Sequence, residues 1–350
     1  MQHTQSNENL IFHLSIHRIC FLTYQEKKIL SKKLDSSYSL ALLSIEEICK
    51  FINRDINVKR VNWDGKENLH MAEIAAHYCR TLGIKVILNT DENYPLLLSQ
   101  ISDPPYLLFC RGNENLLNDN CVSVVGTRRL SPDGKIAAKN FSYEAALNGF
   151  NVVSGLANGA DGFAHKGAVD SYFDCKDKGI NTDVLGKAIA VLPSSIDEIV
   201  PHNHALMAAN ILKSGGCIIS EYEPGMCMEK WHFVARNRII AGMSPGTVVI
   251  EAPPGSGALI TAEFALEYNR DVMFHKVAFE GLANTISEKV HNQLEKELAN
   301  GKISKCKIEN RSEKYLEAGA QVVSSFKEYY EKLGCFQKRE SILDLQEELF

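Results

Sequence analysis

Residues 226–242 combine positive charges with aromatic rings at short spacing. The segment interleaves Lys230, His232, Arg236 and Arg238 with Trp231 and Phe233. Cations can neutralise phosphates and aromatic faces can stack on bases, which is what binding of single-stranded nucleic acid requires. Helices that cap a sheet can carry the same residue types for packing alone, and alternation along the segment would turn Trp231 and His232 inward. The prediction therefore centres on Lys230 and Phe233.

A second candidate is the loop that begins at Gly126, with the sequence GTRRLSPDG, between an apolar strand and a helix. Such a turn points backbone N–H groups and the positive end of a helix at an anion. An arginine there adds a bidentate phosphate contact. Gly126, Thr127 and Arg128 are therefore predicted to bind phosphate.

The segment 154–165, SGLANGADGFAH, also follows a strand. Glycines allow a ligand to approach the backbone closely, which makes Ser154 and Gly155 further candidates. Asp161 and His165 lie four residues apart on one helical face, a spacing that could serve acid–base chemistry. We favour a structural interpretation, in which Asp161 caps its helix and His165 forms local hydrogen bonds. No catalytic residue is predicted.

A third glycine-rich turn, at residues 253–257, again follows a strand and starts a helix. Ser256, Gly257 and the N–H groups near them can receive a phosphate. Similar turns at one edge of a sheet are hard to explain by folding alone.

Alternating strands and helices must position these loops. The sequence predicts strands near 122–125, 151–154, 188–192, 217–220 and 247–250, separated by helices over 133–148, 160–170, 203–213, 233–242 and 258–269. This pattern predicts an extended Rossmann-like α/β fold, a mainly parallel sheet with helices on both faces. Binding sites in such folds lie at the carboxyl ends of the strands.

The chain divides into a helical part and a sheet part. Residues 1–88 carry apolar residues at helical spacing, with a capping box at Ser44 and Glu47, and are predicted to form a small helical domain. The sheet domain is predicted over 89–334, although strand candidates begin at 84 and 106, and a polar insertion is predicted over 171–187. A short tail without a complete winged helix is predicted over 335–350.

Composition limits the function classes. A hydrophobic content of 45% and a charged content of 23% are those of a soluble globular protein. A net charge of −5 restricts any nucleic-acid contact to a local basic surface. Ten cysteines without a CxxC pair argue against zinc and disulfides and favour the cytoplasm. No signal peptide, membrane span, metal or cofactor is predicted.

The order of these motifs resembles that of the DNA-processing protein A family, also called DprA or Smf. The resemblance spans residues 90–275 and includes Gly126-Thr-Arg128, Ser154-Gly-Leu-Ala157, Gly159-Ala-Asp161, Arg236-Asn-Arg-Ile-Ile-Ala-Gly242 and Ser256-Gly-Ala-Leu-Ile-Thr-Ala262. The chain departs from the family pattern at Pro193-Ser-Ser195, where a glycine-rich turn is usual, and after Phe274, where a Val-Pro-Gly turn is missing.

The resemblance implies an extended Rossmann fold preceded by a helical domain of the SAM or helix-hairpin-helix type. It implies binding of single-stranded DNA, delivery of that DNA to the RecA recombinase in natural transformation, and a homodimer that needs no metal. Arg128, Lys230 and Phe233 would line the DNA pocket, with Arg236 and Arg238 supporting it.

Two alternatives stay open. The segment 253–263 also resembles the proline-glycine-glycine loop and glutamate of LOG-type nucleotide phosphoribohydrolases, although its spacing is longer. A sheet edge of this kind could instead bind a small signalling nucleotide, with the polar insertion contacting a partner.

Overall fold

The computed structural model describes residues 2–56 and 61–333, so the predicted tail over 335–350 lies outside the described residues. The predicted N-terminal helical region is confirmed. Its helices are α1 (Gln2–His17), α2 (Tyr24–Lys33), α3 (Ser37–Ala41), α4 (Ile45–Ile52) and α5 (Gly65–Thr81). The capping box is also confirmed, since the Ser44 hydroxyl accepts from Glu47 N at 3.2 Å and the Glu47 carboxylate accepts from Ser44 N at 2.8 Å.

The rest of the described chain forms a nine-stranded sheet in the order β1-β2-β6-β5-β4-β3-β7-β8-β9. The strands are β1 (Lys85–Leu88), β2 (Leu107–Gly112), β3 (Cys121–Val125), β4 (Asn151–Ser154), β5 (Ala188–Val191), β6 (Cys217–Ser220), β7 (Gly246–Val249), β8 (Asp271–His275) and β9 (Gln321–Val323). The pairs β1–β2 and β2–β6 are antiparallel, and the pairs from β6 through β9 are parallel. The mainly parallel α/β sheet predicted from sequence is therefore confirmed.

Helices cover both faces of this sheet. They are α6 (Leu96–Ser99), α7 (Pro132–Leu147), α8 (Ala160–Asp177), α9 (Ala205–Lys213), α10 (His232–Gly242), α11 (Gly257–Glu267), α12 (Gly281–Ala299), α13 (Lys305–Glu309), α14 (Ser312–Glu317) and α15 (Phe326–Lys332). Two hydrophobic clusters result, one on each side of the strands.

Helix α8 is longer than predicted. Polar residues after position 170 suggested that the helix ends there and an insertion begins. The helix in fact runs to Asp177, because Ser171 and Cys175 continue its buried side beyond Val169. Only residues 178–187 connect this helix to β5.

The N-terminal helices share a hydrophobic core with one face of the sheet. Leu14 of α1 and Leu30 of α2 are fully buried in the same cluster as Leu107 and Phe109 of β2. Strand β1 begins at Lys85 and pairs with β2, so the sheet starts before residue 89. The helical region is therefore packed onto the sheet and shares its core.

The order of connection reverses at β3, which pairs with β4 on one side and with β7 on the other. In parallel sheets, the loops that leave such a switch point form the natural ligand crevice. The loops after β3, β4 and β7 are the three glycine-containing turns identified in the sequence.

Candidate nucleic-acid interface

The loop after β3 is held between the loops of its two neighbouring strands. Thr127 N donates to Glu251 O at 2.7 Å, and Ala160 N donates to Thr127 O at 3.1 Å. Gly159, at φ +82°, packs so closely that a Cβ would lie 2.3 Å from Thr127 O. The backbone at residues 126–128 is thereby fixed, while the Arg128 side chain projects into solvent.

Arg128 meets Phe233 across more than a hundred residues of sequence. The Arg128 guanidinium carbon lies 5.2 Å from the centroid of the Phe233 ring, a cation–π geometry. Phe233 is half-buried in the first turn of α10. Two of the side chains predicted to line a DNA pocket are therefore in contact.

Lys230 is exposed just before α10, and Trp231 and His232 follow it. The prediction that both rings turn inward holds for His232, which is 1% exposed and stacks on Tyr222 at 3.9 Å. It is wrong for Trp231, which is 56% exposed. The alternation argument fails because Trp231 adopts helical backbone angles as the N-cap of α10, where successive side chains do not alternate.

Arg236 is buried and acts as a brace. Its Nη1 donates to Gly155 O at 2.7 Å and also to Val191 O. Burial lowers the pKa of Arg236 to about 10, with Asp161 acting in the opposite direction. A Cβ on Gly155 would lie 2.2 Å from the guanidinium, so the lack of a side chain at Gly155 makes room for Arg236. Arg236 therefore occupies the space in which Gly155 was predicted to contact a ligand.

Arg238 is likewise directed into the protein. Its Nη2 donates to Glu221 at 2.7 Å and its Nε donates to Asp103 O at 3.1 Å. Arg236 and Arg238 were predicted to support the pocket, and the structure places neither guanidinium on the surface beside Arg128.

The carboxylate of Glu251 lies at the amino end of helix α7. The Glu251 carboxylate accepts from the backbone N of Ser131, at 3.0 Å, and from its hydroxyl. A Cβ on Gly134 would lie 2.1 Å from that carboxylate. The expectation that this helix end points its N–H groups at an external anion is therefore wrong, because Glu251 occupies the position.

The loop after β4 is organised in the same way by Asp161. Its carboxylate accepts from Gly155 N at 3.1 Å and Ala157 N at 3.3 Å, so this side chain holds the loop. The prediction that Asp161 caps its helix is wrong, because the N-cap of α8 is Gly159 and Asp161 lies inside the first turn. Ser154 is fully buried and its hydroxyl donates to Val124 O at 2.6 Å. Backbone and hydroxyl groups predicted to bind phosphate here are thus engaged within the protein.

The turn at Ser256 and Gly257 differs from the other two because it opens to solvent. Gly257 is exposed, and a Cβ there would meet nothing within 4 Å. Asn237 Nδ2 donates to Gly257 O at 3.3 Å, which ties the start of α11 to α10. Asn237 lies one turn after Phe233, so this turn and the Arg128–Phe233 contact lie along one helix.

A small cavity lies beside the switch point, under α12. Thr127, Glu251 and Pro253 on one side and Ile286 and Ser287 of α12 on the other enclose a cavity of about 10 Å³. Room of that size accepts about one water molecule. The position of α12 over this cavity has no signal in the sequence.

The protein-family model described as DNA recombination-mediator protein A matches residues 85–333. The chain belongs to the DNA recombination-mediator protein A family. The matched residues contain the whole sheet and every loop described above.

Relatives in this family support the assignment. The DNA processing protein DprA of Bacillus subtilis is 34% identical over 194 residues, which are 55% of this chain and 61% of that protein. The protein Smf of Synechocystis is 40% identical over 186 residues, 52% of this chain and 43% of that protein. In both cases the match spans less than two thirds of the relative.

A solved structure of the same family shares the fold. The X-ray structure of DNA processing protein A from Streptococcus pneumoniae superposes with a TM-score of 0.64 and 26% identity, over 91% of this chain and 96% of that one. The α/β fold and the helical region that precedes it are therefore shared with that structure.

The departure from the family's glycine-rich turn has a structural role in this chain. Ser194 and Ser195 are buried, the Ser194 hydroxyl donates to Glu198 O, and Ser194 O accepts from the Ser220 hydroxyl, both at 2.6 Å. The turn is thus packed against the loop after β6 and is closed to a ligand.

Sequence reasoning missed a brace from the loop before α9. His204 Nδ1 lies 2.7 Å from Leu156 O, and Asn203 donates to Asn158 at 3.0 Å. Leu156 has a positive φ of 55°, which a non-glycine residue adopts only when held.

Among the described residues, no helix is long and apolar enough to cross a membrane, and no cluster of three potential metal ligands occurs.

Proposed function

We propose that this chain binds single-stranded DNA at the surface formed by Arg128, Lys230 and Phe233, here called the Arg128 surface. The observation that carries the proposal is the Arg128 guanidinium placed over the Phe233 ring at 5.2 Å. Arg128, which would contact a phosphate, and Phe233, which would stack on a base, then lie within the length of one nucleotide. Single strands present both groups together, whereas a duplex hides its bases.

Charge and access support the same surface. Arg128 and Lys230 are exposed, whereas Arg236 and Arg238 are consumed by internal contacts. The open turn at Gly257, which Asn237 ties to α10, extends the surface along that helix and leaves room for a further phosphate. On a chain of net charge −5, binding is confined to this local region.

Membership in a recombination-mediator family supports the wider part of the proposal. We propose that the bound strand is handed to the RecA recombinase during DNA uptake in the cytoplasm, and that the chain acts as a homodimer without catalysis. The cavity beside Thr127 and Glu251 gives the nucleotide alternatives no support, because its volume of about 10 Å³ is far below the roughly 300 Å³ of a small-molecule site.

Fluorescence anisotropy with labelled oligonucleotides tests the proposal. We expect the chain to bind a single strand more tightly than the matching duplex, and the Arg128→Ala substitution to weaken binding about tenfold or more. Lys178→Ala removes an exposed cation after α8, far along the chain from this surface, and serves as the control. Equal affinity for single strand and duplex, or equal loss in both variants, would contradict the proposal.

A further inference from the structure

Trp231 is a large aromatic side chain held in a defined orientation on the surface. It is 56% exposed, and its indole Nε1 donates to the Glu229 carboxylate at 2.6 Å. Its ring stands edge-on to His232, with centroids 4.2 Å apart and planes at 85°. The indole is therefore supported from below and tethered at its nitrogen.

The support beneath the indole is rigid. His232 is buried and stacks on Tyr222 with an interplanar angle of 15°. Two hydrogen bonds close the turn, from His232 N to Glu229 O at 3.1 Å and from Glu229 N to His232 Nδ1 at 3.3 Å. A side chain fixed in this way loses little conformational entropy when a ligand stacks on it.

Trp231 and Phe233 lie on different sides of the first turn of α10, because two residues on a helix are about 200° apart. A strand that touches both must cross the amino end of the helix. That end has no side-chain cap and no acidic residue in its first turn, and the carboxylate of Glu229 before it is bound to the Trp231 indole. Its positive field and the neighbouring Lys230 favour a phosphate between the two rings.

We infer that Trp231 is a second base-stacking residue of the Arg128 surface. One base of a bound single strand stacks on Phe233 and another stacks on Trp231, with the linking phosphate at the start of α10. This inference rests on the proposed function. It adds that the start of α10 contacts more than one nucleotide of the bound strand. Indole faces accept any base, so the contact adds affinity without sequence preference.

Intrinsic fluorescence tests the inference because the chain has only two tryptophans. Trp63, the other one, lies in the N-terminal helical region, where its Nε1 donates to Leu43 O at 2.8 Å. Titration of the full chain with oligothymidine should quench its fluorescence. The quench should persist in Trp63→Phe and disappear in Trp231→Phe.

Affinity provides the second readout. Trp231→Leu removes the aromatic face and should weaken binding of the single strand about tenfold, whereas Trp231→Phe keeps a smaller face and should weaken it less. Near-UV circular dichroism and urea unfolding of both variants check that the fold is retained.

The two proposals fail in different ways. If the wild-type chain shows no anisotropy change with single strands, the proposed function is wrong and the stacking inference falls with it. If the wild type binds but Trp63→Phe is not quenched and Trp231→Leu keeps full affinity, only the stacking inference is wrong. Altered self-association of Trp231→Leu with unchanged DNA affinity would also overturn it, by making Trp231 a protein contact.

Discussion

The residues predicted to bind DNA divide into those that face solvent and those that build the surface beneath. Arg128 and Lys230 project outward, whereas the guanidinium of Arg236 is spent on the carbonyls of Gly155 and Val191. Sequence identifies the cations but carries no signal for this division, because the acceptors lie 45 and 81 residues away along the chain. We therefore propose that the exposed pair, Arg128 and Lys230, binds phosphate.

Gly155 gives a direct test of the brace. A Cβ there would meet the Arg236 guanidinium at 2.2 Å, and that guanidinium is buried and donates to the carbonyls of Gly155 and Val191. We expect Gly155→Ala to lower the free energy of unfolding by about 2 kcal/mol or more, as overpacked cores do. Urea unfolding measures it.

The matched control for this substitution is Gly257→Ala. Space around Gly257 is open, and alanine favours the helix that begins there. Its unfolding free energy should equal or exceed that of the wild type. If Gly155→Ala is as stable as Gly257→Ala, the contact between Arg236 and the loop at Gly155 does not contribute to stability.

At the scale of elements, strands and helices were predictable because each depends on a local pattern of apolar and polar residues. Short apolar runs that alternate with helical segments located β3 through β7, and helical spacing located the N-terminal helices. What the sequence could not supply was the partner of each helix end. Glu251 reaches Ser131 from 120 residues away, so the filled amino end of α7 is invisible to any local pattern. The end of α8 was misplaced because polar residues on its exposed side masked a buried side that continues.

A second contact between elements joins the N-terminal helices to the segment that leads to Lys230. Arg18, which follows α1, forms an ion pair with Glu223, and the side chains are 20% and 10% exposed. Removing one partner leaves a largely buried charge unpaired. We expect Arg18→Ala to cost about 2 kcal/mol in unfolding free energy, and addition of Glu223→Gln to restore part of it.

Urea unfolding of the two single variants and the double variant gives the coupling between the charges. Lys305→Ala breaks the exposed pair with Glu309 and should leave the unfolding midpoint unchanged. Additive effects of Arg18→Ala and Glu223→Gln would contradict a direct link between α1 and the segment after β6.

The whole molecule should lose stability in mild acid through a buried histidine. Burial lowers the pKa of His165 to about 3, and His204 and Arg236 contribute in the same direction. The unfolded chain takes up a proton near pH 6.5, which the folded state excludes. The stability contributed by neutral His165 is therefore complete above pH 6.5 and is lost as the pH falls towards 3.

Urea unfolding at pH 7.5 and pH 5.5 measures this effect. Between these values we expect the wild type to lose about 1 kcal/mol more stability than His165→Asn. His77→Asn, which replaces an exposed histidine, should follow the wild type. Parallel losses in the wild type and His165→Asn would show that His165 takes up a proton in the folded protein.

The central claim concerns the whole molecule as well: one local cationic and aromatic surface on an acidic body binds single-stranded DNA. A salt titration of oligonucleotide affinity tests it most directly, because the slope of log K against log salt counts the phosphates that are engaged. Lys230→Ala should reduce that slope by about 0.7, the value for one phosphate on a single strand, and Lys178→Ala should leave it unchanged. Identical slopes for the wild type and Lys230→Ala would place DNA binding elsewhere on the chain.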